Sequence, residues 1–600
     1  MQTIKEIFLV FFGIVRVLLV LAVKPPKVTD RKSVGTMFEE TVAKYSNRKM
    51  ITFEDRELTW GQFNELANRM ARALSNRGVK RGDSVALILE NRIEFLALAI
   101  AAQKIGATAA LVNPSLRGLQ LAHCVKISGA VKCLVGEENY KEFISARDEI
   151  ALADEHILWV ADTRSEDAPE GAEDFMNHLE EFSSVNLEDV NNIVAGDIAF
   201  YIYTSGTTGL PKAAKITHRR WFTATHGFSK MGSMAKVTDC FYLCLPLYHG
   251  TGLICGFGVC MYSGASFVLR RKFSATRFWS DVQQHQVTNF IYVGELCRYL
   301  VAQPPCPEEE NNSLTRVFGN GLRPDIWLEF KNRFGIERVA EFYGASEANI
   351  AFVNALNKDN TIGMCGANIV LVKYNVDKDE MILDDSGKLM IAEVGEPGLL
   401  LAEIDEQYVY DGYTDCDATQ SKVLRDVVTT GDAWFNTGDL IKQVDVGFVF
   451  GQAHYQFVDR VGDTFRWRSE NVSTNEVEEI LNANQQVEYS NVYGVDVPGA
   501  DGKAGMVALV LKDRMDLDII EFSSYVKDNL PIYAQPVFLR IQQELTTTGT
   551  FKLVKGNLKK QGYNIDEVND LLYFLPPHQG QYQKLDKEAY QSLLDRAVGL

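Results

Sequence analysis

Paired cysteines are missing from this chain. Its ten Cys are scattered without one CxxC pair, and the two nearest, Cys240 and Cys244, have no His or Cys cluster beside them. That pattern argues against a structural zinc and fits reduced thiols in a cytosol-facing protein. Positive charge is also in deficit: 61 Lys and Arg against 79 Asp and Glu leave a formal net charge of −18. Bulk electrostatics of that sign disfavour nucleic acid, so none is expected as a partner, and any anion site must be locally basic. Long apolar runs are scarce. The run Ile7 to Val23 is broken by Gly13 and Arg16 and followed by Lys24-Pro25-Pro26-Lys27. Its length is at the lower limit for spanning a bilayer, which takes roughly 20 residues, and a central arginine costs about 3 kcal/mol at the midplane. It reads as a membrane anchor or in-plane helix, ahead of a cleaved signal, for which no small-x-small site follows, or a helix docked on the body. The basic flank Lys24, Lys27, Arg31 and Lys32 favours a cytosolic body. A second apolar stretch, Gly252 to Leu269, holds several glycines and reads as a buried helix and strand.

At 600 residues the chain is too long for one core, so two or more domains are expected. From Val34 to about Ile193 helical and strand patterns alternate. A helix opens at Trp60 and stops at Gly78; Ser84 to Leu89 is a strand, Ile93 to Ile105 a helix, Ala107 to Val112 a strand, and Val131 to Val135 another. Alternation of this kind implies a parallel sheet with helices on both faces. Ala161 to Asn192 is acidic and irregular and carries no legible chemistry. Beyond Arg460 the pattern is that of a smaller α+β domain. Ser473 caps a helix through Leu481, strands run over Ser490 to Val495 and Met506 to Leu511, a helix over Ile519 to Asn529 and a strand over Val537 to Ile541.

The most informative stretch is Tyr201-Ile-Tyr-Thr-Ser-Gly-Thr-Thr-Gly-Leu-Pro-Lys212. An apolar strand, Ile198 to Tyr203, breaks into Thr204, Ser205, Gly206, Thr207, Thr208 and Gly209, closed by Pro211 and Lys212. Glycines let backbone N–H groups approach an anion, hydroxyls donate further bonds, and a lysine neutralises charge. It is not a Walker loop, in which Gly-Lys is adjacent and followed by Ser or Thr. The loop resembles the phosphate-binding motif of the adenylate-forming superfamily. Its extended form, YTSGTTGLPKAAKITHRRW, more narrowly resembles the very-long-chain acyl-CoA synthetase and fatty acid transport protein family.

That family's other motifs follow in order. LPLYH places His249 beside the acyl chain's carboxyl end. Val317-Phe-Gly-Asn-Gly-Leu-Arg323 resembles the turn that lines adenine, with Gly319, Asn320 and Gly321. Glu341-Phe-Tyr-Gly-Ala-Ser-Glu347 supplies Tyr343 for adenine stacking, Ser346 for phosphate and Glu347 as an oxygen ligand to Mg²⁺. Phe435-Asn-Thr-Gly-Asp439 resembles the ribose-binding motif. The segment opening Phe457-Val-Asp-Arg-Val-Gly-Asp supplies Arg460 for ribose and Gly462 as hinge, and Arg466 is expected at the nucleotide. Tyr203, Thr204 and Lys212 belong to the phosphate site. Thr546-Thr-Thr-Gly-Thr-Phe-Lys552 matches the late lysine motif, with Lys555 as the competing candidate. Lys552, Thr204, Glu347 and His249 are the expected catalytic residues. One departure stands out: Arg468-Ser469 replaces the family's Lys-Gly, which predicts slower thioester formation.

The resemblance implies an α/β fold with a large multi-sheet N-terminal domain and a smaller mobile α+β lid, divided as 1–33 anchor and linker, 34–459 AMP-binding domain and 460–600 lid. It implies ATP-dependent activation of long- or very-long-chain fatty acids to acyl-CoA through acyl-AMP, with ATP, Mg²⁺ and coenzyme A required and fatty acid uptake coupled to it. Partners are then the substrates and a membrane met through the N-terminal segment, with a homodimer left open. The expected compartment is the endoplasmic reticulum, with plasma membrane and peroxisome as alternatives, although the C-terminal Ala-Val-Gly-Leu is no peroxisomal address. A peptide-synthetase module would need a carrier serine after Lys552, and none follows. A luciferase-like oxidase would share every ATP motif; the membrane segment and DRVGDTFRWR argue against it. A non-catalytic transporter would need several spans.

Overall fold

The computed structural model describes residues 2–162, 168–170, 172–204, 210–375, 379–467, 470–498, 502–512, 516–545, 554–577 and 579–595, without the side chains of 2–6, 470 and 471. Two large sheets contribute to one buried core cluster. The first has seven strands, in the order Glu173–Asp174, Ile157–Val160, Ala130–Gly136, Ser84–Ile88, Thr108–Leu111, Ile198–Thr204 and Lys212–Thr217. It is parallel as far as Ile198–Thr204, and the last strand returns antiparallel, with Thr204 opposite Lys212. Helix Ile93–Ile105 is buried on every side. Its apolar sequence suits that place, because a helix apolar all round has no face to give to water.

The second sheet has nine strands. Its parallel centre runs Arg338–Tyr343, Arg316–Asn320, Asn289–Val293, Cys240–Leu243, Ser266–Leu269 and Lys49–Phe53. The run Gly252 to Leu269 is indeed a core helix and strand. Thr251–Gly258 is a wide π-helical turn, buried throughout, continuing into Val259–Ser263 and strand Ser266–Leu269. Glycine is required at Gly252, where a Cβ would lie 2.3 Å from the Pro246 carbonyl oxygen. The hairpin Lys49–Phe53 and Arg56–Thr59 was not legible in the alternating pattern. It leaves the first sheet and pairs with Ser266–Leu269 in the second.

A five-stranded antiparallel sheet follows, in which His454–Arg460 pairs with Ala433–Val444. From Phe465 to Leu593 a separate buried cluster forms around the sheet Val487–Asp496, Lys503–Leu511, Phe538–Gln542, Leu571–Phe574 and Gln583–Lys584. The expected helix caps hold: Thr59 makes a reciprocal capping box with Gln62, and Ser473 accepts from the Glu476 N–H.

The N-terminal helix, Gln2–Leu21, corrects the expectation of a membrane span. Among the described residues no helix is long and apolar enough to cross a membrane. Instead this helix docks on the body: Val10, Val17 and Val20 are buried, and Arg16 Nη1 donates to Met234 Sδ at 2.8 Å. Directing Arg16 into the body gives its charge a partner that hydrocarbon would deny it. All ten cysteines are free thiols.

Candidate active site

Parallel strands Cys240–Leu243, Arg316–Asn320 and Arg338–Tyr343 end on one edge of the second sheet, and Ile198–Thr204 ends close by in the first. Carboxyl ends of parallel strands are where open α/β sheets bind ligands. A cavity of about 1920 Å³ opens there. That exceeds the usual volume for one small molecule, roughly 300–1,000 Å³.

Most of the residues expected from sequence meet on its wall: Tyr203, Thr204, Lys212, His249, Asn320, Gly321, Tyr343, Ser346, Glu347, Asp439 and Arg460. Gly319 lies behind the wall, where a Cβ would fall 2.2 Å from the Tyr292 carbonyl oxygen. Arg466 sits on strand Phe465–Trp467 and is not part of the wall. Ser205, Gly206, Thr207, Thr208, Gly209, Arg468, Ser469 and Lys552 lie outside the described residues. The polar loop nevertheless has a defined base, since its ends, Thr204 and Lys212, are paired neighbours on antiparallel strands.

Second-row contacts set the geometry. Asp439 and Arg460 stand opposite each other on paired strands, with Asp439 Oδ1 3.8 Å from Arg460 Nε. Tyr343 Oη donates to Asp439 Oδ2 at 2.5 Å. Burial raises the Asp439 carboxyl, while the Tyr343 hydroxyl and Arg460 oppose the rise. The Gly-Asn-Gly turn hangs on Glu341, whose carboxylate accepts from Tyr292 Oη (2.6 Å), Gly321 N (3.0 Å) and Leu322 N (2.8 Å). Burial dominates there and pushes Glu341 up to about 7. The loop bearing His249 is pinned by Asn91, which donates to the Leu245 carbonyl at 2.9 Å and accepts from Leu247 N at 2.8 Å. His249 Nδ1 accepts from Thr251 N at 3.4 Å.

Several contributors were missed by sequence reasoning. Arg220 lies inside the quoted THRRW. Its guanidinium donates to the carbonyls of Ala345 and Glu347, each at 3.2 Å, and to that of Ala348. It thus holds the backbone of the loop bearing Ser346 and Glu347. Tyr413 lies against both Glu347 and Thr204, and Lys212 Nζ sits 5.7 Å from its ring centre. Only the fold brings this residue in, by pairing Gly412 and Thr414 with the strand that follows the polar loop. Lys555, the alternative lysine, is occupied: it donates to Thr474 Oγ1 at 2.7 Å and pairs with Glu478 at 3.2 Å.

The wall is not basic, contrary to the expectation from net charge. Its described carboxylates outnumber its lysines and arginines. Burial raises some of them, Asp459 to about 6 as well as Glu341. The same wall also carries apolar side chains, Phe228, Met231 and Ile254 from the body and Val17, Val20 and Leu21 from the N-terminal helix.

Fold and wall together define an α/β protein with one large cavity at the ends of its strands, lined by both polar and apolar side chains. Residues 38–414 match the AMP-binding enzyme family, and 476–552 match the AMP-binding enzyme C-terminal domain. The chain belongs to the AMP-binding enzyme family. It is 40% identical to the medium/long-chain-fatty-acid–CoA ligase FadD6 of Mycobacterium tuberculosis, over 91% of this chain and 88% of that protein. It is 37% identical to long-chain fatty acid transport protein 6 of Mus musculus, over 93% and 90%, and 38% identical to human long-chain fatty acid transport protein 1, over 90% and 84%. Among solved structures it is similar to the anthranilate CoA ligase AuaEII (TM-score 0.75, 21% identity, 89% of this chain and 97% of that one). It is also similar to the o-succinylbenzoate CoA synthetase MenE of Bacillus subtilis (TM-score 0.67, 21% identity, 87% and 97%). At those identities the two structures speak for the fold.

Proposed function

We propose that this chain activates long-chain fatty acids to acyl-CoA through an acyl-AMP intermediate. The observation that carries the reading is one cavity whose wall holds both a polar set, Thr204, Lys212, Tyr343, Glu347, Asp439 and Arg460, and an apolar set, Phe228, Met231, Ile254, Val17, Val20 and Leu21. The names of its relatives, fatty-acid–CoA ligase and fatty acid transport protein, point the same way.

A carboxylate is a poor electrophile at neutral pH and must be activated. One carboxylate oxygen attacks the α-phosphorus of ATP, the bond to the bridging oxygen of pyrophosphate breaks, and acyl-AMP forms. The CoA sulfur then attacks the acyl carbon and AMP leaves with the electron pair. Such steps depend on positioning and on donors aimed at developing charge. In this reading Thr204, Lys212 and the polar loop hold the β- and γ-phosphates, Tyr343 and the turn at Asn320 flank adenine, and Asp439 with Arg460 takes the ribose. His249 stands at the carboxyl end of the acyl chain. Lys552 bridges carboxylate and α-phosphate. Between the half-reactions the lid, taken as 460–600 against a body of 34–459, pivots at Gly462. Glu347 fits a divalent cation, because its Oε2 is buried without a hydrogen-bond partner among the described residues. Mg²⁺ held there would neutralise phosphate charge.

Association with a membrane, the endoplasmic reticulum being the compartment we favour, would use the N-terminal helix lying in plane. Uptake would then follow from trapping the acid as its CoA ester. The test is a panel of fatty acids from medium to very long chain, assayed with purified protein for AMP and acyl-CoA together. AMP and acyl-CoA in equal amounts, with a preference for long chains, are expected. AMP without thioester, or no turnover of any fatty acid, overturns the reading.

A further inference from the structure

The N-terminal helix has two apolar faces, and one of them is uncovered. Val17 and Val20 face the cavity, while Phe8, Leu9, Phe12, Leu18 and Leu19 point outward, each more than half exposed. A second element extends that outer surface. The connection between strands Ala433–Val444 and His454–Arg460 reads Asp445-Val-Gly-Phe-Val-Phe-Gly451 and carries Phe448 and Phe450, 44% and 48% exposed. The two rings meet edge to face at 4.5 Å, and Phe450 lies 6.5 Å from the Phe11 ring. The loop is built to present them. Asp445 Oδ1 accepts from Gly447 N at 2.8 Å, and Phe450 itself holds φ +49, a left-handed conformation that a bulky residue adopts only against a steric cost. Soluble surfaces rarely keep two adjacent, half-exposed phenylalanines under strain beside a third aromatic.

Resting on the membrane association proposed above, we infer that Phe448 and Phe450 form a second membrane-inserting element, which joins the outer face of the N-terminal helix in a single surface. The occupant is the acyl region of an anionic phospholipid bilayer. Three observations choose it over another protein. The same helix that is exposed outside also lines the cavity through Val17, Val20 and Leu21, so it stands between a lipid surface and the site. Lys24, Lys27 and Arg31, all exposed, follow the helix directly on a chain of net charge −18, which puts cations where anionic headgroups would be. The surface is aromatic and aliphatic without a carboxylate between Ile7 and Val23, the composition of an in-plane helix.

The test uses the full chain and vesicles of phosphatidylcholine with one fifth phosphatidylserine. Phe448→Ser/Phe450→Ser should weaken vesicle partitioning on the order of tenfold, in proportion to the apolar area withdrawn. Thermal midpoint and AMP formation from a dissolved medium-chain acid should be unchanged. In the otherwise intact protein, Phe448→Trp should add fluorescence that brominated lipids quench. Unchanged partitioning of the double variant overturns the inference, as does an added tryptophan signal that brominated lipid leaves alone. A wild-type dimer that the double variant converts to monomer, with vesicle binding intact, would assign the surface to a second copy and also overturn it. Vesicle binding is read without turnover, so an inactive but Phe448-dependent membrane binder would sink only the ligase reading.

Discussion

Arg220→Lys separates charge from geometry at the loop that carries Glu347. In the wild type the guanidinium reaches the carbonyls of Ala345, Glu347 and Ala348 at once. An ammonium keeps the charge but is compact and cannot span the planar fork. The bonds to Glu347 and Ala348 are part-buried and the one to Ala345 is exposed, so only the first two acceptors bear much of the about 1–3 kcal/mol that an unsatisfied buried group costs. With one bond retained and some relaxation, a loss of roughly 1–2 kcal/mol in unfolding free energy is expected, enough to lower the urea midpoint without unfolding the protein. The functional effect should be sharper than the structural one, because a shift near 1 Å in a positioning group costs on the order of 10² in rate. ATP–pyrophosphate exchange should fall by about that factor, and half-saturation by Mg²⁺ should rise while the KM for fatty acid stays put. The assay is exchange titrated in Mg²⁺ at saturating ATP and again in fatty acid. A destabilised variant with unaltered Mg²⁺ dependence would refute the reasoning and leave Arg220 as a fold residue only.

Three further outcomes follow from the same site. Lys552→Ala should lower acyl-AMP formation by roughly 10² while sparing thioester formation from supplied acyl-AMP, and equal loss in both half-reactions would remove the two-state scheme. Gly462 has no atom within 4 Å of an added Cβ, so Gly462→Ala should be tolerated. Gly462→Pro, whose φ is fixed, should release pyrophosphate once and then stall with acyl-AMP bound in a single-turnover time course. Glu341, raised by burial to about 7 from the ordinary 4.5, binds its proton more tightly folded than unfolded. Its contribution is therefore fully present below about 4.5, falls as pH rises to about 7 and is flat above. Relative to Glu341→Gln, the wild type should lose about 3 kcal/mol over that window in urea titrations, and parallel pH profiles would refute the assignment.

Much of this molecule was readable because its chemistry is local. The run Ile198 to Tyr203 announces a strand from adjacent residues, found at Ile198–Thr204, and helix Ile93–Ile105 appears within the boundaries its apolar run suggests. Motif order carried the rest of the wall, from His249 to Arg460. What stayed hidden depends on contacts between distant segments. Arg220 is one of two adjacent arginines in THRRW, and nothing local distinguishes the one that meets carbonyls more than a hundred residues away. Tyr413 faces Glu347 only because Gly412 and Thr414 bond to the strand after the polar loop. The N-terminal segment was ambiguous for a different reason. Its composition suits lipid, and whether Arg16 turns inward to Met234 is decided by the body it lands on.

The acidic wall shows why net charge misled. Counting each carboxylate as a full negative charge required a compensating basic patch for any nucleotide site. Buried carboxyls do not behave that way: desolvation holds Glu341 and Asp459 nearer neutrality, and Asp439 is held between the Tyr343 hydroxyl and Arg460. Such groups act as fixed acceptors that orient a turn, a tyrosine or a lysine, and contribute less to the field than their number suggests. A nucleotide in this crevice would then be held by directional donors, namely backbone N–H groups, hydroxyls, Lys212 and Arg460, with one cation at Glu347. Binding of that kind depends on geometry more than on bulk charge. Raising ionic strength should therefore weaken ATP affinity far less than displacing the loop that carries Glu347. That ordering is the reason Arg220, which holds the carbonyls of Ala345, Glu347 and Ala348, belongs among the first residues to change.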